Sequence, residues 1–249
     1  MTLLPRGATI ALGWVALAAL VTLTLLGLWV APPDAVQSDA QRLMYLHVPT
    51  AWLAYLAFAV TAASSALYLW PRTRAVVWDR IAGASAEIGV MFTGLTLVLG
   101  ALWGRPIWGV WWAWDARLVT TAVLFFLYIG YLALRRIPGD ANDTAVRSAI
   151  VALIAFVDVP IVHFSVTWWR TLHQEATVFN PELSAQISGT MALTLWFGVL
   201  AFTVLYLYLL SKRYELAAMA DELADVELEV AIAERIGEPV GAGVARVEP

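Results

Sequence analysis

Three histidines and a crowd of tryptophans carry most of the chemistry this sequence can offer. His47 stands in LMYLHVPTAW, His163 in DVPIVHFS and His173 in SVTWWRTLHQEATVF. Neutral imidazole binds transition metals, and two imidazoles arriving from different segments can hold an iron from both faces. Between His47 and His173 lies WGRPIWGVWWAWDARLVT, residues 103–120. It packs five indoles (Trp103, Trp108, Trp111, Trp112 and Trp114) into twelve residues, with Arg105, Asp115 and Arg117 among them. Cysteine is absent, which excludes a thiol nucleophile, a zinc–thiolate site and a covalent thioether link to a cofactor. A GxxxxGK[ST] phosphate loop is absent too, so any ATPase that drives the protein's work belongs to a separate subunit.

The elements that position these residues are membrane helices. Of the 249 residues 61% are hydrophobic and 14% charged, with a mean hydropathy of +0.75, outside the range of soluble domains. Six apolar runs, at about 8–31, 50–70, 81–102, 118–134, 148–166 and 188–210, approach or exceed the roughly 20 residues of a spanning helix. The first is too long for the apolar core of a signal peptide and no clear small-residue cleavage site follows it, so it reads as a retained helix. The expected fold is an all-α integral membrane protein: one domain over 1–210, a bundle of six transmembrane helices, followed by an acidic, partly helical tail over 211–249. Seven of the nineteen acids fall between Asp221 and Glu238. In that tail Leu216, Met219, Leu223, Val226, Val230 and Ala233 step by threes and fours, a stripe shorter than a full coiled coil. It reads first as a solvated helix end, with docking onto a cytoplasmic partner as the functional alternative.

The arginines orient the bundle. Arg6, Arg72, Arg74, Arg80, Arg135, Arg136, Arg147, Lys212 and Arg213 all fall on one side if the helices alternate, against Arg42, Arg105, Arg117 and Arg170 on the other. Both termini are therefore expected in the cytoplasm. The segments 32–49, 103–120 and 167–187 then gather outside, in a periplasm or its equivalent.

A lone interfacial histidine is ordinarily hydrogen-bonded to backbone or headgroup, but His47 and His173 share the outer side with the aromatic segment between them. Tryptophan bands also have an ordinary use as interface anchors, which accounts for Trp52, Trp70 and Trp78. Five indoles punctuated by Gly104, Pro106 and Gly109 describe a shaped surface instead. A broad, planar, apolar ligand with charged edges suits it, stacked on indole faces with Arg105 or Arg117 at the rim. Haem, with two propionates, has that shape. Asp115 is placed to cap the fourth helix. His163, near the bend expected at Pro160, reads first as a helix-packing residue, with a ligand role as the weaker alternative. Asp158, costly in a bilayer, should face the bundle interior, where it holds a histidine tautomer, pairs with Arg170 or ties helices together.

The string WGVWWAWD followed by ARLVT resembles the tryptophan-rich WWD signature of haem-handling proteins in cytochrome c biogenesis. With LHVPTAW before the second helix and VPIVHFSVTWWRTLHQ before the last, residues 41–210 resemble the cytochrome c maturation protein C family, also called haem exporter protein C. The resemblance implies a bacterial cytoplasmic-membrane protein, not an enzyme, that binds haem b non-covalently and transiently at the outer face. It implies that the WWD loop is the haem surface and that His47 and His173 are the axial ligands. The implied partners are a membrane-anchored periplasmic haem chaperone, the ATPase and membrane subunits of an ABC-type complex, and a small membrane subunit of the same complex; nothing points to nucleic acid. The alternatives are a haem conduit through the bundle and a cytochrome c haem lyase. Against a conduit, the inner half of the helices offers only Glu87 as an ionisable group. Lyases of this superfamily are longer, with a second histidine pair.

Overall fold

The computed structural model describes residues 2–174, 187 and 189–236. Part of the third outer segment, residues 175–186, and the end of the tail after 236 lie outside the described residues. Helix α1 covers Arg6–Leu25 and runs on through a wide turn at Leu26–Val30. A short 3-10 turn at Asp39–Leu43 leads into α2, Met44–Leu69. Then come α3 (Val76–Trp108), α4 (Ala116–Leu134), α5 (Ala141–Phe156), α6 (Asp158–Trp168) and α7 (Gly189–Ile236). With α5 and α6 taken as one broken stretch, six helical stretches are long and apolar enough to cross a membrane, as the sequence led us to expect.

The break between α5 and α6 follows from Pro160. Proline has no N–H for the carbonyl of Phe156, four residues back, and its ring crowds that turn; the helix ends at Phe156 and restarts at Asp158. Above and below the break the chain packs on different neighbours, α5 mainly on α2 and α6 mainly on α4.

Lipid tails are as apolar as leucine, so helix association here relies on close packing and interhelical hydrogen bonds. Helices α2 and α3 lie together along most of their length because their facing sides are small: Ala54, Ala57 and Ala62 against Ala82, Ala86 and Gly89. A Cβ at Gly89 would stand 2.4 Å from the Phe58 ring, which is itself stacked on Tyr128 at 3.7 Å. Ser85 joins α3 to both neighbours, its hydroxyl 2.7 Å from the Ala57 carbonyl and 2.7 Å from the Tyr206 hydroxyl. One apolar core, with Leu23, Tyr45, Phe92 and Phe202, joins α1, α2, α3 and α7; a second, with Phe58, Leu124, Tyr128 and Val162, joins α2 to α4 and α6.

Two boundaries differ from the sequence expectation. Helix α2 begins at Met44 rather than near residue 50, so His47 and Pro49 lie within its opening turns. Gly198 of α7 makes room there, since a Cβ on it would meet Pro49 Cγ at 2.9 Å. Helix α3 runs past 102 to Trp108, so Trp103 and Trp108 are helical and only 109–115 connects α3 to α4. At 48 residues α7 is about 70 Å long, more than twice the hydrocarbon thickness.

Candidate functional site

The helix ends that carry the three chemically interesting segments converge at one end of the bundle, around a cavity of about 300 Å³. Its floor reaches Thr93 and Leu124, so it extends about 20 Å along α3 from Trp108. The volume is at the lower end for small-molecule sites.

His47 points into this cavity from α2. Gly100 provides its space, because a Cβ there would lie 3.0 Å from the imidazole Cε1. The ring is edge-on to Trp103 at 5.7 Å, and its Nδ1 is buried without a hydrogen-bond partner. Such an orphaned nitrogen is costly to keep unless something else takes it up. His173 comes from the segment after α6, its ring centre 6.4 Å from that of His47 with the planes tilted by 38°. Its Nδ1 is 2.8 Å from the Gln174 carbonyl. A carbonyl only accepts, so Nδ1 carries the proton and Nε2 keeps the lone pair. Burial, reinforced by the charge of Arg117, holds His173 below the ordinary 6.5, against the opposing pulls of the Gln174 bond and Asp115.

Asp115 links the two loops that build the site. Its Oδ1 accepts from the Arg117 backbone N–H at 2.9 Å, the N-cap of α4 anticipated from sequence. Its Oδ2 accepts from the Thr171 hydroxyl at 2.6 Å and the Leu172 N–H at 2.7 Å, and Thr171 Oγ1 in turn accepts from the His173 N–H at 3.0 Å. Burial pushes the Asp115 carboxyl up, but the hydrogen bonds from Thr171, Leu172 and Arg117 outweigh it and leave it below the usual carboxylate value. Asp115 therefore reaches His173 through Thr171 and Leu172.

The tryptophans divide. Trp103 is only 9% exposed and donates its indole N–H to Gln37 at 2.9 Å. Gln37 is itself set by a turn in which Asp34 accepts from the backbone N–H groups of Val36 and Gln37. Trp108 lies back along α3 because Gly104 has no side chain, and its ring is 6.3 Å from His173. Trp111 and Trp112 also line the cavity. Trp114 does not: it is 88% exposed and touches Trp112 edge-on at 6.0 Å. The single surface of five indoles expected from sequence is thus four around the cavity and one outside it.

The two candidate arginines divide in the same way. Arg117 lines the cavity, with Nη1 donating to the carbonyls of Val162 at 2.5 Å and His163 at 2.8 Å. Arg105 is not among the lining residues; it donates to the Gly109 carbonyl at 2.8 Å and lies over Trp111 at 5.8 Å, supporting a left-handed cap in which Gly109 has φ +77°.

His163, the weaker candidate, lines the cavity as well, and Trp52 and Tyr55 are aromatic lining residues not expected in the sequence reading. Trp52, assigned there to the interface, lines the cavity and donates to Thr203 of α7 at 2.9 Å. Tyr55 and His163 meet edge-on across it at 6.4 Å. The signal available for Tyr55 was its spacing from His47, about two helical turns along α2. Asp158 is buried, as expected, with Oδ2 unpartnered.

Residues 3–228 match the model of the family described as heme exporter protein C. The heme exporter protein C of Bradyrhizobium diazoefficiens is 39% identical over 216 residues, covering 85% of this chain and 78% of that one. That of Haemophilus influenzae is 38% identical over 211 residues, covering 82% and 84%. A putative cytochrome c biosynthesis ccmC-like mitochondrial protein of Marchantia polymorpha is 37% identical over 188 residues, covering 76% and 79%.

Proposed function

Because the chain belongs to the heme exporter protein C family, we propose that it serves c-type cytochrome biogenesis by holding haem b between His47 and His173 and presenting it at the outer face of the membrane. Haem is cargo here, bound without a covalent link and passed to a membrane-anchored haem chaperone. The protein works within a multi-subunit haem export complex whose ATPase is another chain.

The observation that carries this reading is the histidine pair. Their ring centres lie 6.4 Å apart, close enough for one iron to reach a nitrogen of each. Around the pair the indoles supply the apolar contact a porphyrin needs, and Arg117 supplies a cation for a propionate. The chain's own work is to orient: Gln174 fixes the His173 tautomer, Asp115 fixes its loop, and Gly100 fits His47 against α3.

Transfer is the test. Protein loaded with one equivalent of haem should lose it to the purified chaperone and regain its apo spectrum. Haem that stays on this protein in the presence of excess chaperone would contradict presentation.

Three further outcomes are expected. Single cysteines at Gln37 and Ala113 should react with an impermeant thiol reagent from outside, and cysteines at Thr73 and Asn142 should not; labelling of position 113 only from the cytoplasm would invert the orientation. Replacing Trp108 and Trp112 with Ala should weaken haem retention by about 1.5–3 kcal/mol per indole without altering the ligand spectrum. Trp114→Ala should leave haem content unchanged, since this ring lies outside the cavity. On the proton side, binding requires neutral imidazole. Because the His173 pKa is depressed below 6.5, the ligand stays available as pH falls through 6.5, and haem is released only at lower pH. Haem retention followed from pH 8 downward should be flat to below pH 6.5, whereas a loss centred at 6.5 would show an unshifted histidine.

A further inference from the structure

We propose that the distal half of α7 is a docking surface for a basic amphipathic helix of another protein. It lies at the end of the molecule opposite the histidines, so its test bears on nothing said of haem.

Beyond Ser211 the helix uses one face for its own bundle. Tyr214 and Ala218 are buried against it, Asp221 pairs with Arg80 at 2.6 Å, and Arg213 pairs with Glu87 of α3. The opposite face is uncovered. Leu216, Met219, Leu223 and Val226, stepping by three and four, are each between 52 and 59% exposed. Val230 and Ala233 continue the line, giving a stripe about 27 Å long. Leu228 and Ile232 are exposed apolar residues on the bundle-facing side further along, so the segment with a clear division of faces is Leu216–Val226.

The flanks say what covers the stripe. Glu222 and Glu229 run along one edge, beyond Glu215, which pairs with Lys212 at 2.9 Å, and Glu227 and Glu234 along the other. A second copy, parallel or antiparallel, would set glutamate edge against glutamate edge, which is repulsive at every turn. An anionic lipid surface is repelled likewise. An apolar stripe edged with Lys or Arg satisfies both the contact and the charge.

The full-length protein in detergent is titrated with two labelled synthetic helices of about three heptads, both with Leu along one stripe, one edged with Lys and the other with Glu, and binding is read by fluorescence anisotropy. The Lys-edged helix should bind at least about 100-fold more tightly than the Glu-edged one. The variant Leu223→Asp decides between docking and bulk attraction. It adds a negative charge, so attraction alone would strengthen binding, whereas loss of the apolar contact weakens it about tenfold or more. Converting Glu222, Glu227 and Glu229 to Lys should reverse the preference between the two helices. Equal binding of both, no binding of either, undiminished binding to Leu223→Asp, or self-association of the protein through this stripe would each overturn the proposal.

Discussion

Protein carrying both His47→Ala and His173→Ala should purify without haem, in the same folded yield as the parent. At metal sites the loss of an outer partner alone costs roughly 10–100-fold in affinity, and each of these substitutions removes a proposed ligand. The single variants should behave differently from the double. With one imidazole left and the indoles intact, each should keep a reduced amount of haem with a changed iron spectrum. The fold should survive because His47 Nδ1 has no hydrogen-bond partner and His173 Nδ1 bonds only the adjacent residue. Haem-to-protein ratio and spectrum on the monodisperse fraction check this. A double variant that retains full haem would remove both residues from the site.

Asp115→Ala should weaken haem binding without touching haem. The carboxylate holds together the cap of α4 and the Thr171–Leu172 backbone ahead of His173 through three hydrogen bonds. Bonds to a charged group contribute about 1.5–3 kcal/mol each, and their donors are left orphaned when it goes. We expect the loop to detach and haem retention to fall to the level of His173→Ala. Asp115→Asn has a single acceptor oxygen, which can keep the helix cap, while its NH2 can only donate, to the Thr171 hydroxyl, and leaves the Leu172 N–H without its acceptor; it should recover part of the binding with the parent spectrum. A residue acting by its charge on haem would give the same loss in both variants; a positioning residue gives this graded series. The test is haem affinity and spectrum across the three proteins.

The helices were legible because a bilayer imposes long apolar runs, and the site's residue types because the chain has only three histidines and two of them flank the tryptophan-rich stretch with its two arginines. Their division was not. Nothing in WGRPIWGVWWAWD says that the first two indoles belong to α3 while the last projects outward; that depends on where Gly109 ends the helix and on Gly104 leaving room for Trp108 to lie back. The roles of the two arginines separate for the same reason, since Arg105 precedes the turn and Arg117 follows it. The N-cap role of Asp115 could be read from its place before an apolar run. Its second oxygen could not, because Thr171 and Leu172 are more than fifty residues away. Trp52 was hidden by a sound generalisation: indoles near the ends of membrane helices mostly serve the interface, whereas this one lines the cavity and bonds Thr203, 151 residues away.

The pairing of His47 with His173 across one iron is tested most directly by the absorption spectrum of detergent-purified protein loaded with one equivalent of haem, recorded before and after reduction. A six-coordinate, low-spin, bis-imidazole spectrum in both states, converted by either single histidine variant to one with a single axial imidazole, is the expected result. A high-spin, five-coordinate spectrum in the parent protein, unchanged by loss of His47 or of His173, would contradict it.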